Sequence, residues 1–86
     1  MAYFNRAAIW KDKGELGRTV ADYVRAIELD PRFADAWARR GLEQLLQGNL
    51  AAAERDFDQS LALNKKLKQS LEWQIREARG VRALKR

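Results

Sequence analysis

Apolar positions recur along this chain at helical spacing, in segments punctuated by glycine. Residues 2–13 and 35–47 each carry an apolar stripe, and each stops at a glycine, Gly14 or Gly48. A glycine just past a helix is the expected left-handed stop. Two further amphipathic segments follow, 16–29 and 50–63. Their inner faces read Leu16, Val20, Tyr23, Ile27 in one and Leu50, Ala53, Phe57, Leu61 in the other. Asn49 is placed to N-cap the later segment. Pro31 closes the first pair of helices, because it lacks a backbone donor and disfavours helix at Asp30. A last stripe, Leu67, Leu71, Ile75 and Ala78, predicts a fifth helix over 66–84. Gly80 is placed to end or weaken that helix, leaving 81–86 as a frayed tail.

The stripes repeat. A shift of 34 positions brings Ala2 onto Ala36, Tyr3 onto Trp37, Arg6 onto Arg40, Gly14 onto Gly48 and Leu16 onto Leu50. The same shift brings Asp22 onto Asp56, Tyr23 onto Phe57, Ile27 onto Leu61, Leu29 onto Leu63 and Phe33 onto Leu67. Small residues pair as well: Ala7 with Gly41, Thr19 with Ala53, Ala26 with Ser60. A constant period of this length is the signature of stacked helical hairpins.

Large, small and aromatic residues fall at Tyr3, Ala7 and Trp10 in one unit and at Trp37 and Gly41 in the next. They are followed by Thr19, Tyr23, Ala26 and Pro31, and by Ala53, Phe57 and Ser60. On these residues the chain resembles the tetratricopeptide-repeat family over about residues 2–67. The resemblance implies an all-α fold: antiparallel helical hairpins stacked as a short right-handed solenoid of five helices in one domain, 1–86. Repeat one would span about 1–33, repeat two about 34–67, and a capping helix about 66–84. Arg6 and Arg40 depart from the family's usual leucine, Gln44 from an aromatic and Lys65 from the closing proline. Repeat two is therefore expected to have a weaker first helix and a less abrupt end. The chain opens directly in its first helix, which suggests a longer array or a partner at that end.

Composition narrows the chemistry. The chain has 86 residues, 47% hydrophobic and 34% charged, with neither cysteine nor histidine. Disulfides, thiolate or imidazole metal sites and a histidine general base are thereby removed. No apolar run reaches a membrane span, and no basic-then-apolar leader is present, which favours the cytoplasm. No phosphate-cradling glycine loop or ligand cluster appears, Ser60 sits at a packing position, and Asp56 and Asp58 read as a solvated pair. An enzyme, a cofactor and a metal are not expected. The net charge of +5 is uneven. Residues 1–64 are nearly neutral, whereas 65–86 hold eight basic residues against Glu72 and Glu77.

The first helices of such hairpins line a concave side. With Trp37 core-facing, the helical rotation of 100° per residue turns Asp35, Ala38, Leu42, Leu45 and Leu46 away from it. The matching positions one repeat earlier include Phe4, Ala8, Lys11 and Asp12. A groove of Phe4, Ala8, Lys11, Asp35, Ala38, Leu42, Leu45 and Leu46 is expected to take a partner peptide or helix. Against this, Leu42, Leu45 and Leu46 could pack on a neighbouring helix. Trp73 lies off the fifth stripe beside Arg76 and Arg79. Either the helix rolls so that Trp73 covers the groove's end, or Trp73 is an exposed anchor. Chaperone-binding members of the family clamp a terminal carboxylate; the corresponding positions are Phe4, Ala8, Arg39, Gln69 and Trp73, with one base and no asparagine, so that mode is not expected. The basic tail, Arg76, Arg79, Arg82, Lys85 and Arg86, supports weak, non-specific nucleic-acid binding at most. Self-association is a further reading, since two repeats are fewer than the ~three usually needed for stability. The expected function is thus a non-enzymatic protein–protein interaction module.

Overall fold

A computed structural model describes the backbone of residues 2–84 and the side chains of residues 2–80. Among the described residues the fold is all-α. Helix α1 (Ala2–Asp12) and α2 (Leu16–Leu29) form one hairpin, α3 (Ala34–Leu46) and α4 (Leu50–Leu63) a second. A single 3₁₀ turn (Lys65–Leu67) then leads into α5 (Lys68–Leu84), so the fifth helix runs through Gly80 instead of stopping there.

The glycine stops form as the sequence predicts. Gly14 has φ +76° and Gly48 φ +88°. Around them the amides of Glu15 and Asn49 donate to the carbonyls of Trp10 and Gln44, both at 2.9 Å. Those of Gly14 and Gly48 donate to Lys11 and Leu45 at 3.0 and 3.1 Å. This double bond pattern satisfies carbonyls that a helix end would otherwise leave unpaired. Asn49, however, makes no side-chain cap. Asn49, Leu50 and Ala51 are all exposed, so water can serve the first-turn amides of α4. Leu16 and Leu50, expected to face inward, are exposed for the same reason: they open their helices at the rim.

The second hairpin ends as sharply as the first despite lacking a proline. Asn64 is extended at φ −150°, ψ 97°, and its side-chain oxygen accepts from the Lys66 amide at 3.0 Å. Asp30 does the same for the Arg32 amide at 3.2 Å. The short polar side chain at this repeat position makes the turn, and the proline is dispensable.

Two apolar clusters hold the stack. Ala26, Ile27 and Ala36 join the hairpins, with Tyr3, Phe4, Phe33 and Trp37 packed around them. Ala38, Leu42, Leu45, Ala53 and Phe57 form the other with Leu71 and Ala78 of α5. The small repeat positions lie where helices cross. Ala7, Thr19, Ala26, Ala53 and Ser60 are all buried. Gly41 sits so close to α4 that a Cβ there would meet the Phe57 ring at 2.6 Å.

Candidate functional site

The two arginines that stand in place of leucine are paired with the two repeated aspartates. Arg6 Nε and Nη2 donate to Asp22 Oδ2 and Oδ1 at 2.8 and 2.7 Å. Arg40 repeats the geometry on Asp56 at 2.7 and 2.8 Å. Each fork bridges the two helices of one hairpin across 16 residues. Asp56 is 3% exposed, so it is a buried, paired group and not half of a solvated Asp56–Asp58 pair. Gln44 completes the second fork when its amide is oriented with nitrogen toward the two acceptors there, Asp56 Oδ2 at 2.8 Å and the Ala52 carbonyl at 3.2 Å. Trp10 occupies the matching position of the first hairpin. Asp22 is held below the ordinary carboxylate range, first by the Arg6 hydrogen bonds, with burial opposing. These groups brace the scaffold; the expected groove residues lie on a separate surface.

That surface is walled by α1, α3 and α5. One recess of about 250 Å³ lies between α1 and the middle of α3, with Phe4, Ala8, Lys11, Arg39 and Tyr23 of α2 among its walls. A second, of about 330 Å³, lies between α3 and α5 and is lined by Leu42, Leu46, Trp73 and Ala78. Lys11 and Arg39 border both recesses. A small third recess of about 50 Å³ places Asp35, Ala38 and Gln74 beside Arg39. Phe4 stacks obliquely on Tyr23 and Phe33, at ring separations of 5.6 and 4.8 Å. Burial pushes the Tyr23 phenol up, Arg39 opposes that shift, and Glu43 adds to it.

The expected groove residues thus divide. Phe4, Ala8, Lys11, Leu46 and Trp73 line the recesses, and Asp35 lines the small one. Ala38, Leu42 and Leu45 are buried in the core, because α5 lies over the face of α3 that the helical projection left open. Leu42 and Ala38 still border a recess, whereas Leu45 packs inward. Of the two alternatives for Trp73 the structure has the exposed one, at 60% exposure. Arg76 and Arg79 are exposed on α5, flanking Ile75. Lys85, Arg86 and the Arg82 side chain lie outside the described residues.

Glu43 was not foreseen as a site residue. It is 1% exposed, its Oε1 accepts from Lys11 Nζ at 2.8 Å, and its Oε2 has no partner. Among the described residues this pair is the ion pair that links the two hairpins. Its signal in the sequence is faint, since the repeat places Ile9 opposite Glu43. Among the described residues no group of His, Cys, Asp and Glu is arranged to hold a metal ion, and no helix is long and apolar enough to cross a membrane.

Two hairpins of repeated design, a covering helix and an open groove define a helical-repeat scaffold. The comparisons name the repeat. Residues 23–55 match the family model described as a tetratricopeptide repeat. Over 64 residues, 74% of this chain, it is 39% identical to DnaJ homolog subfamily C member 3 of Rattus norvegicus. The chain spans only 13% of that relative's length. It is 29% identical over 65 residues to an uncharacterized protein of Methanocaldococcus jannaschii, covering 76% of each. The chain belongs to the tetratricopeptide-repeat family. Such repeats serve in general as non-enzymatic modules for protein–protein interaction.

Proposed function

We propose that this chain binds a segment of a partner protein in the groove walled by α1, α3 and α5. The observation that carries the reading is the pair of recesses on one face, beside an exposed Trp73. An exposed tryptophan next to half-buried Leu46 is the composition of an interaction anchor. Phe4 and Ala8 offer apolar surface at the other end. The test is selection from a displayed peptide library on the wild-type chain and on an Ala8→Glu/Trp73→Glu variant. Both positions are exposed, so the variant is expected to keep its helical circular dichroism. Peptides enriched on the wild type should be lost on the variant; equal retention on both would refute the groove.

A second reading, self-association, is favoured by one observation. Ala36 and Glu43 are two of the α3 residues that face the first hairpin, and both are buried there. Their counterparts on α1 are Ala2 and Ile9, both exposed, Ile9 by 55%. That face of α1 is shaped to receive another hairpin, and a second copy could supply it. Light scattering over about a hundredfold range of concentration decides this: a mass that doubles with concentration, and no longer does so in Ile9→Glu, supports it.

A further inference from the structure

The charges along the groove are ordered. Lys11 and Arg39 stand between the two large recesses, Asp12 borders the recess near α1, and Glu77 borders the one near α5. The two central cations are not equivalent. Lys11 is engaged by the buried Glu43 at 2.8 Å. Arg39 is exposed, it borders all three recesses, and among the described residues it has no carboxylate within the 4.0 Å of an ion pair. Asp35 shares the small recess one turn before Arg39 on α3 but stands beyond that distance.

The groove therefore presents an unmatched guanidinium shared by two recesses, each with apolar side chains and one carboxylate, Asp12 or Glu77, in its walls. Resting on the groove reading above, we propose that the partner segment carries one internal acidic side chain held by Arg39 between two apolar side chains. One apolar side chain seats against Phe4 and Ala8, the other against Leu46 and Trp73. A guanidinium suits this role because it offers a planar fork of donors that a carboxylate accepts in pairs. Glu43 sharpens the reading. By engaging Lys11 it leaves one free positive charge at the centre, which matches a single acid better than a run of them. Asp12 and Glu77, one in the wall of each recess, repel further acids. The groove thus favours an apolar–acidic–apolar segment over an acidic tract.

The experiment uses fluorescein-labelled, C-terminally amidated peptides, read by anisotropy. Each places one glutamate between two leucines, with no, one, two or three serines on either side. Matched series carry glutamine or lysine in place of the glutamate, and a further series carries glutamine with a free C-terminal carboxylate. At least one glutamate spacing is expected to bind about tenfold more tightly than its glutamine match, an advantage that shrinks with added salt. Arg39→Gln should erase the preference, and Arg39→Glu should transfer it to the lysine peptide, with unchanged thermal melting. Equal binding of the glutamate and glutamine series, lost in Trp73→Glu, would overturn the acidic specificity while leaving the groove reading intact. Binding by no series would overturn the specificity, with the library selection still judging the groove. Tighter binding of the free-carboxylate series would also overturn it, since the charge would then come from a chain end and not a side chain.

Discussion

Gly41 shows how little space a single residue has here. A methyl group at this position would meet Phe57 carbons at 2.6 and 2.7 Å and the Ala53 carbonyl at 3.2 Å. The ring is buried and cannot retreat without disturbing α4. Gly41→Ala is expected to cost about 1–3 kcal/mol, read by urea unfolding, even though alanine is the better helix former. The matched Ala7 carries its methyl fully buried, so the two repeats differ by one carbon at the same crossing. Asp22 adds a pH dependence. Its carboxyl titrates lower in the folded chain than in the unfolded one, so its contribution is complete above about pH 4. That contribution is lost as pH falls through the folded value. Stability should drop on acidification in the wild type, and the Asp22→Asn variant, weaker at neutral pH, should show a shallower drop in the same urea series.

At the scale of elements, the helix ends were readable because glycine at a left-handed position has few alternatives. Gly14 and Gly48 mark the boundaries to within a residue or two. The Arg6–Asp22 and Arg40–Asp56 forks were visible only as repeated letters. Nothing local links residues 16 apart; the hairpin has to close before the arginine meets its aspartate. The groove was half legible for a related reason. A helical wheel drawn from Trp37 gives the directions of Ala38, Leu42 and Leu45 but not the path of α5, which covers them. Two substitutions on α5 separate its roles. Leu71, 2% exposed, should cost about 2–5 kcal/mol on truncation to alanine. Trp73→Ala should change thermal stability little, within about 0.5 kcal/mol, while weakening peptide capture. On the second fork, Arg40→Leu alone strands a buried carboxylate and should cost about 3 kcal/mol or more. The double replacement Arg40→Leu/Asp56→Ala should cost clearly less than the two singles added, a coupling that a double-mutant cycle reads directly.

Over the whole molecule, the two kinds of ion pair divide the labour. Each arginine–aspartate fork is confined to one hairpin, whereas Lys11–Glu43 is the polar tie from one hairpin to the next. A hairpin therefore carries its own clasp wherever it is placed. Duplicating residues 1–34 as an insertion between Ala34 and Asp35 would leave every clasp whole and keep the small-residue seam, but the joint between the two copies would set Lys11 against Ile9, the counterpart of Glu43. Gene duplication acting on a unit of this kind therefore asks for one compensating change inside the copied piece, Ile9→Glu, to restore the tie at the added joint. Lengthening the stack then takes a duplication and one substitution, and each added hairpin brings its own clasp with it.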